Sequence, residues 1–431
     1  MKPSRRAVLA SAAGAAVALA QRTDTIRPMA PSDAISEWIR RAAIPLSTPV
    51  AGHGFDDMAS LKKIVGGARI VALGEATHGT REFSQLKHRM LEFLVTQMGF
   101  SIFSIEGSMP EAYRLNDFVL KGEGDPAKLL KGPLTLWDTQ EVLDTVLWMR
   151  EYNRSGKGRV EFTGFDMQNP RVAIEIVRDF VAKTDAEYMP ALARTSEMAL
   201  ALNPRAVDPT IAVEWEKVVT HLESLRPRTG IEWAIQNSRV VLQCLQWAAN
   251  LMKPQVSMAM RDASMAANVK WILDQSTDAK IVLWAHNFHV MTGPLYPNQP
   301  GPGDSMGAVL RKMYGDKLVT FGFAFNQGSF RARSMNGTMQ TFTVGPLPTG
   351  SLDATLAASG IPLFALDLRA APKTGPVAEW LGVTHPTRNI MEGFSEDRPN
   401  LTIFEQVVTE RYDGLFFVEK TTAARANAKL G

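Results

Sequence analysis

The sequence predicts an α/β fold in which a largely parallel or mixed central sheet is flanked by helices and carries a helical insertion lobe. Three observations predict it. Short apolar runs alternate with amphipathic stretches of ten or more residues, the pattern of strands joined by helical crossovers. Four of the runs end on polar residues, as strands do when their carboxyl ends open on a cleft. Between residues 171 and 275 the strand pattern vanishes, and IAVEWEKVVTHLESL and WAIQNSRVVLQCLQWAANLM read as amphipathic helix.

The elements follow in order. Residues 68–73 form an apolar run. Phe83, Leu86, Met90, Phe93 and Leu94 then recur at helical spacing until Gly99 stops the helix. A second run, residues 101–105, ends at Glu106, and a helix follows over residues 110–120. Residues 139–152 read as helix, 159–165 as strand with Asp166 at its end, and 280–285 as strand with His286 at its end. Further strands are expected over residues 317–325, 340–344, 361–366 and 414–418.

The first twenty residues, MKPSRRAVLASAAGAAVALA, are set apart from the fold. A basic start, a short apolar run and a small-residue ending describe an export leader, with Arg5 and Arg6 placed as in twin-arginine signals. The run is short for a bilayer span, so a periplasmic or secreted protein without stable membrane insertion is expected once the leader is cleaved. Residues 21–60 read as lead-in and linker, 61–420 as one large domain with its helical insertion over about 171–275, and 421–431 as a tail.

Removing Lys2, Arg5 and Arg6 from 47 basic residues leaves 44 against 44 acidic ones. That balance, with no basic stretch interleaved with aromatics, gives no reason to expect nucleic acid as a partner. Cys244 is the only cysteine, so an intrachain disulfide is excluded; it lies in VVLQCLQW and reads as core.

The chemistry concentrates in LGEATH, SIEG, GFDMQ and WAHNFH, which bring Glu75, His78, Glu106, Asp166, His286 and His289 to one end of the sheet. A histidine near its reference pKa of about 6.5 serves as a base, best when a carboxylate holds its other nitrogen. Glu75 and His78 are three residues apart and can meet across a tight turn. SIFSIEG puts Glu106 where both sheet faces are buried, so its carboxylate requires a partner. Singly, each residue has a plainer reading, since a strand-end acid also caps the next helix. Asp138 followed by Glu141 reads as a helix cap with an acidic first turn. No GxSxG stretch stands at a strand end, which favours direct attack by activated water over a covalent acyl-enzyme. The same histidines and acids also make an acceptable zinc or manganese set, although ExxH and HxxH are weak motifs alone.

Together LGEATHGTREF, LKHRM, MGFSIFSIEG, LWDTQEVLDTVLWMREYN, GFDMQ and WAHNFHV, in that order, resemble the erythromycin esterase family. The resemblance implies a metal-independent hydrolase with a deep cleft, no cofactor, and a small-molecule ester or lactone, a macrolide among the candidates, as substrate. By the resemblance His78 is the general base with Glu75 in support, Glu106 is the acidic cleft residue, and His286 and His289 assist the tetrahedral intermediate or the leaving group. Lys87 falls where one branch has a functional arginine, and it also reads as a solvated lysine at the edge of an apolar helix face. Trp137 and Asp166 are expected to line the substrate. Two alternatives stand beside this reading: a metal-assisted hydrolase of cell-surface or exopolysaccharide-related material, and a noncatalytic small-molecule binding protein.

Overall fold

The computed structural model describes residues 33–131, 134–201, 208–296 and 303–427. The leader expected over residues 1–20 lies outside them. The strands are β1 (Ile44–Pro45), β2 (Ile70–Leu73), β3 (Ile102–Ser108), β4 (Glu161–Asp166), β5 (Ile281–Trp284), β6 (Leu318–Arg333), β7 (Met339–Val344), β8 (Leu363–Asp367), β9 (His385–Arg388), β10 (Ile403–Gln406) and β11 (Gly414–Thr421). Among the described residues nine of them form one sheet, in the order β1-β8-β11-β6-β2-β5-β3-β4 with β7 on β6, and β9 and β10 pair separately.

The six central strands, from β11 through β6, β2, β5 and β3 to β4, run parallel. β8 and β1 add antiparallel pairs at one edge. Both faces of the central strands are covered, which is why β2 and β5 read as unbroken apolar runs. Ile70, Ala72, Ile281 and Leu283 pack on one side, whereas Val71, Leu73, Val282 and Trp284 pack on the other. Period-two alternation thus feeds two cores from one strand.

Between β4 and β5 the described residues form the helical lobe, with long helices Arg171–Thr184, Thr210–Ser224, Ile231–Ala248 and Pro254–Asp274. Cys244 is buried there. No helix among the described residues is long and apolar enough to cross a membrane.

Several boundaries differ from the sequence expectation. β3 does not end before Glu106 but runs through it to Ser108, with a register shift against β4 after Ile105. Such a shift re-aims side chains beside a site, and here it keeps Glu106 inside the strand while pointing it at other polar groups. β6 runs eight residues past its expected end, and its outer half pairs with β7 as a hairpin overhanging the sheet. Ile44 and Pro45, within the lead-in, form an edge strand on β8. Past β11 the chain bridges Thr80 to Ala423 and Thr139 to Ala426. This strap ties down the starts of helices Arg81–Met98 and Gln140–Arg154, which flank the cleft.

Candidate active site

Glycines let the turn after β2 close tightly. At Gly74 a Cβ would stand 2.2 Å from Asn287 Oδ1. Asn287 in turn receives the Phe323 N–H at 3.0 Å, donates to the Phe323 carbonyl at 2.9 Å, and gives its own backbone N–H to the Glu75 carbonyl at 2.9 Å. The ends of β2 and β5 are thereby clamped to β6, and Glu75 and His286 are fixed beside each other.

Glu75 is fully buried, and each oxygen has a partner. Oε1 lies 2.6 Å from His78 Nδ1, while Oε2 accepts from Lys87 Nζ at 2.6 Å and Trp284 Nε1 at 2.7 Å. Burial works to raise the Glu75 pKa, but the charges and hydrogen bonds of Lys87 and His78 overcome it and hold the carboxylate ionised. Lys87 is not the solvated lysine allowed by the sequence; it is fully buried, 4.5 Å from the Trp284 ring centre and 5.3 Å from that of Phe323. Burial pushes its ammonium down to about 8 against the pull of Glu75.

His78 gives Nδ1 to Glu75, and its side chain keeps 10% exposure on the cleft. Burial pulls its pKa down, but the bond and charge of Glu75, followed by Glu106 and Glu392, leave it raised. Its ring packs edge-on against Trp137 at 5.7 Å and lies 5.3 Å from His286. Trp137 donates Nε1–H to the Glu106 carbonyl at 3.1 Å and so forms a fixed wall.

His286 is neutral by its surroundings. Its Nδ1 accepts from the Phe288 N–H at 3.2 Å and its Nε2 meets the Ile390 carbonyl at 3.2 Å, which sets the Nε2–H tautomer. Burial, then the charge of His78, pushes it down to about 3.

His289 is the opposite case. Nδ1 stands 3.0 Å from both oxygens of Asp262, and Nε2 stands 3.2 Å from Glu106. Burial opposes its charge, but these two carboxylates push it up to about 10, against the Arg261 guanidinium, whose Nη1 stands 3.1 Å from Nε2.

Glu106 and Asp166 converge on a residue the sequence reading missed. Arg261 donates to Glu106 Oε1 at 2.7 Å and to the two oxygens of Asp166 at 3.2 and 2.8 Å. Glu106 Oε2 also accepts the His286 N–H at 2.8 Å. Although buried, Glu106 lies well below the ordinary carboxylate range because His289 and Arg261 face it. A signal for Arg261 was present: in PQVSMAMRDASM, Arg261 and Asp262 are the only charges in a helical stretch of apolar and small residues. Charges in such a setting are buried and paired.

Other expectations resolve simply. Thr139, not Asp138, caps the helix Gln140–Arg154, accepting from the Val142 N–H. Glu141 instead pairs with Arg425 at 2.7 Å and Arg81 at 3.6 Å. Of the histidines away from these strand ends, His88 is buried in the helix Arg81–Met98 and His221 pairs with Asp185 at 2.6 Å.

The cleft beside His78 is narrow, with about 10 Å³ of room for water-sized groups, and it opens to solvent between Leu136, Arg331, Met339, Met391 and Glu392. Among the described residues no group of three or more His, Cys, Asp or Glu side chains converges to hold a metal ion. The acids of the alternative metal set already carry fixed cations, Lys87 on Glu75 and Arg261 on Glu106 and Asp166.

The α/β sheet with its helical lobe and a cleft at the strand ends is an architecture on which hydrolases of the esterase superfamily are built. Comparison with known proteins supports that class: the chain is 23% identical to erythromycin esterase type II of Escherichia coli over 90% of this chain and 98% of that protein. The chain belongs to the erythromycin esterase family, whose model matches residues 95–421. That span holds Glu106, Trp137, Asp166, His286 and His289, while Glu75, His78 and Lys87 precede it. Among solved structures, a succinoglycan biosynthesis protein is 25% identical, covers 91% of this chain and 98% of its own, and superposes with a TM-score of 0.78. A mutant of the erythromycin esterase EreC in its open conformation shares the fold with a TM-score of 0.66 at 16% identity, over 87% of this chain and 96% of its own.

Proposed function

We propose that the chain hydrolyses a carboxylic ester or lactone by direct attack of water activated by His78. The supporting observation is the chain of contacts from Lys87 through Glu75 to His78 Nδ1, which turns the other nitrogen, Nε2, to the cleft. Glu75 fixes the tautomer and stabilises the imidazolium that forms. Nε2 removes a proton from water as its oxygen bonds to the carbonyl carbon, giving a tetrahedral oxyanion. Collapse of that intermediate breaks the bond to the alcohol oxygen, which takes the proton back from His78. His286, held neutral with its Nε2–H on the Ile390 carbonyl, lies 5.3 Å from the His78 ring, so it adds no charge beside the base, and the oxyanion is left to donors that the bound substrate meets at the cleft.

Cys244 has no part in this chemistry, since burial pushes its thiol up to about 12 within the lobe. The reading extends to an exported protein acting on small esters, with macrolide lactones and acylated surface glycans as the two substrate classes suggested by the relatives. The test is a screen of purified protein against macrolides, aryl esters and acylated glycans, with His78→Asn alongside. Asparagine should lower turnover by about 10²–10⁴-fold while the fold is retained. Intact hydrolysis of every accepted ester by that variant would remove His78 as the base.

A further inference from the structure

The outer half of β6 hangs over the cleft. Burial alternates along it: Phe330 and Ala332 are buried, while Ser329, Arg331 and Arg333 are half-open. This strand presses directly against the turn bearing His78. At Gly79 a Cβ would stand 1.9 Å from the Arg331 carbonyl oxygen, and the Arg331 N–H donates to the Gly79 carbonyl at 2.9 Å. Only glycine permits that approach, so the backbone of Arg331 is fixed beside the residue that follows His78.

Two residues lining the cleft, apart from His78, bear charged side chains: Arg331 and Glu392. Glu392 is taken by Arg333, whose Nε bonds its carboxylate while the two backbones also bond. His78 is matched by Glu75. The guanidinium of Arg331 has no hydrogen-bond or ion-pair partner among the described residues. Leu136, Met339 and Met391 make the adjoining walls apolar. At the mouth of the cleft, then, one half-open residue beside an apolar wall carries a cation that no described acid compensates. A planar guanidinium with a weakly held hydration shell suits a carboxylate, which it binds through two parallel N–H donors.

We propose that Arg331 anchors an anionic group of the substrate, so that the preferred ester carries a second, free carboxylate at the end of a short apolar chain. The chain lies along Leu136, Met339 and Met391, the free carboxylate pairs with Arg331, and the ester carbonyl faces His78. The hydrolytic half of this statement rests on the function proposed above; the anion-binding half does not.

The test uses two matched substrates, the p-nitrophenyl monoester of glutaric acid and p-nitrophenyl valerate, with wild type, Arg331→Gln, Arg331→Lys and Arg331→Glu. Wild type should favour the glutarate monoester by about tenfold or more in kcat/KM, expressed in KM, the worth of one charge-assisted pair. Arg331→Gln should erase the preference, Arg331→Lys keep part of it, and Arg331→Glu reverse it. Calorimetric titration with glutarate reads the same site without turnover, with binding expected in wild type and weakened about tenfold or more in Arg331→Gln. If glutarate binds through Arg331 and no ester is cleaved, the hydrolytic reading fails and the anion site stands. If esters are cleaved but the preference is absent in wild type or survives in Arg331→Glu, the anion site fails. A loss of kcat shared equally by both esters in Arg331→Gln also overturns it, because that result belongs to an oxyanion donor.

Discussion

Replacing Lys87 by methionine keeps an unbranched chain of similar length and removes the cation from Glu75. In the wild-type protein Nζ sits 2.6 Å from Oε2, with the two side chains 0% and 1% exposed, so water cannot replace the lost partner. Removing one member of a buried pair costs about 3–5 kcal/mol because a charge is left behind uncompensated. That is a large share of the roughly 5–15 kcal/mol that holds a domain folded. The carboxylate would keep only His78 and the Trp284 N–H as donors, and it would demand the imidazolium form of His78 more strongly. Each pKa unit of that demand corresponds to about 1.4 kcal/mol. The assays are urea unfolding followed by tryptophan fluorescence, and the pH profile of kcat/KM on an aryl ester. Lys87→Met should lose about 3–5 kcal/mol and move the acid limb upward by about one unit or more. Lys87→Arg should keep the limb but lose about 1–3 kcal/mol, because a larger head must fit between Trp284 and Phe323. A Lys87→Met protein within about 1 kcal/mol of wild type and with an unmoved limb would refute the assignment of Lys87 as the counter-charge of Glu75.

Three further outcomes follow from the same geometry. Because Glu75 raises His78 and only the neutral ring accepts a proton, kcat/KM should rise with pH through a midpoint above about 6.5; His286, pushed down to about 3, stays neutral across that range, so a midpoint at or below about 6.5 would contradict the assignment. Arg261→Met should destabilise the fold by about 3–5 kcal/mol, since Glu106 and Asp166 would lose their shared cation, and Glu106→Gln in the same chain should recover part of that loss; denaturant midpoints of the single and double variants measure the coupling. Asp353 is buried, and burial pushes its carboxyl from 3.8 up to about 7. The folded chain holds that proton more tightly than the unfolded chain, so the stability it contributes is full below pH 3.8 and is lost as pH rises through about 7, to a ceiling of about 4 kcal/mol. Asp353→Asn should therefore gain on wild type in denaturant midpoint between pH 5 and pH 8, and an unchanged difference between those two pH values would count against the buried acid.

The parallel core of the sheet was legible because strands covered on both faces are largely apolar: β2 and β5 are so at every position, and β3 and the start of β6 are interrupted only by small or polar residues such as Ser104 and Thr320 before Glu106 and Asn326. The edge elements were not. β1 is two residues long, and β9 and β10 contain His385, Pro386, Glu405 and Gln406, so no apolar run announces them. The overhang of β6 was missed for a related reason: once the strand leaves the covered sheet its polar residues alternate with buried ones, and RAR reads like a loop.

The sequence by itself determined the α/β class, the helical lobe, the family, and the set of acids and histidines that terminate successive parallel strands. These are properties of periodicity and chain order, which are local or repeat at short intervals. Which cation neutralises which acid was decided only in three dimensions. Arg261 lies 155 residues from Glu106 and 95 from Asp166 along the chain. Lys87 turned out to be buried rather than solvated because the helix Arg81–Met98 packs its flank on Trp284 and Phe323, neither of which is its neighbour in sequence. The two histidines of WAHNFHV, three residues apart, acquired opposite charge states for the same reason. His289 meets Asp262 and Glu106, whereas His286 meets two backbone groups, and burial then forbids a charge on the histidine that has no acid to pair with.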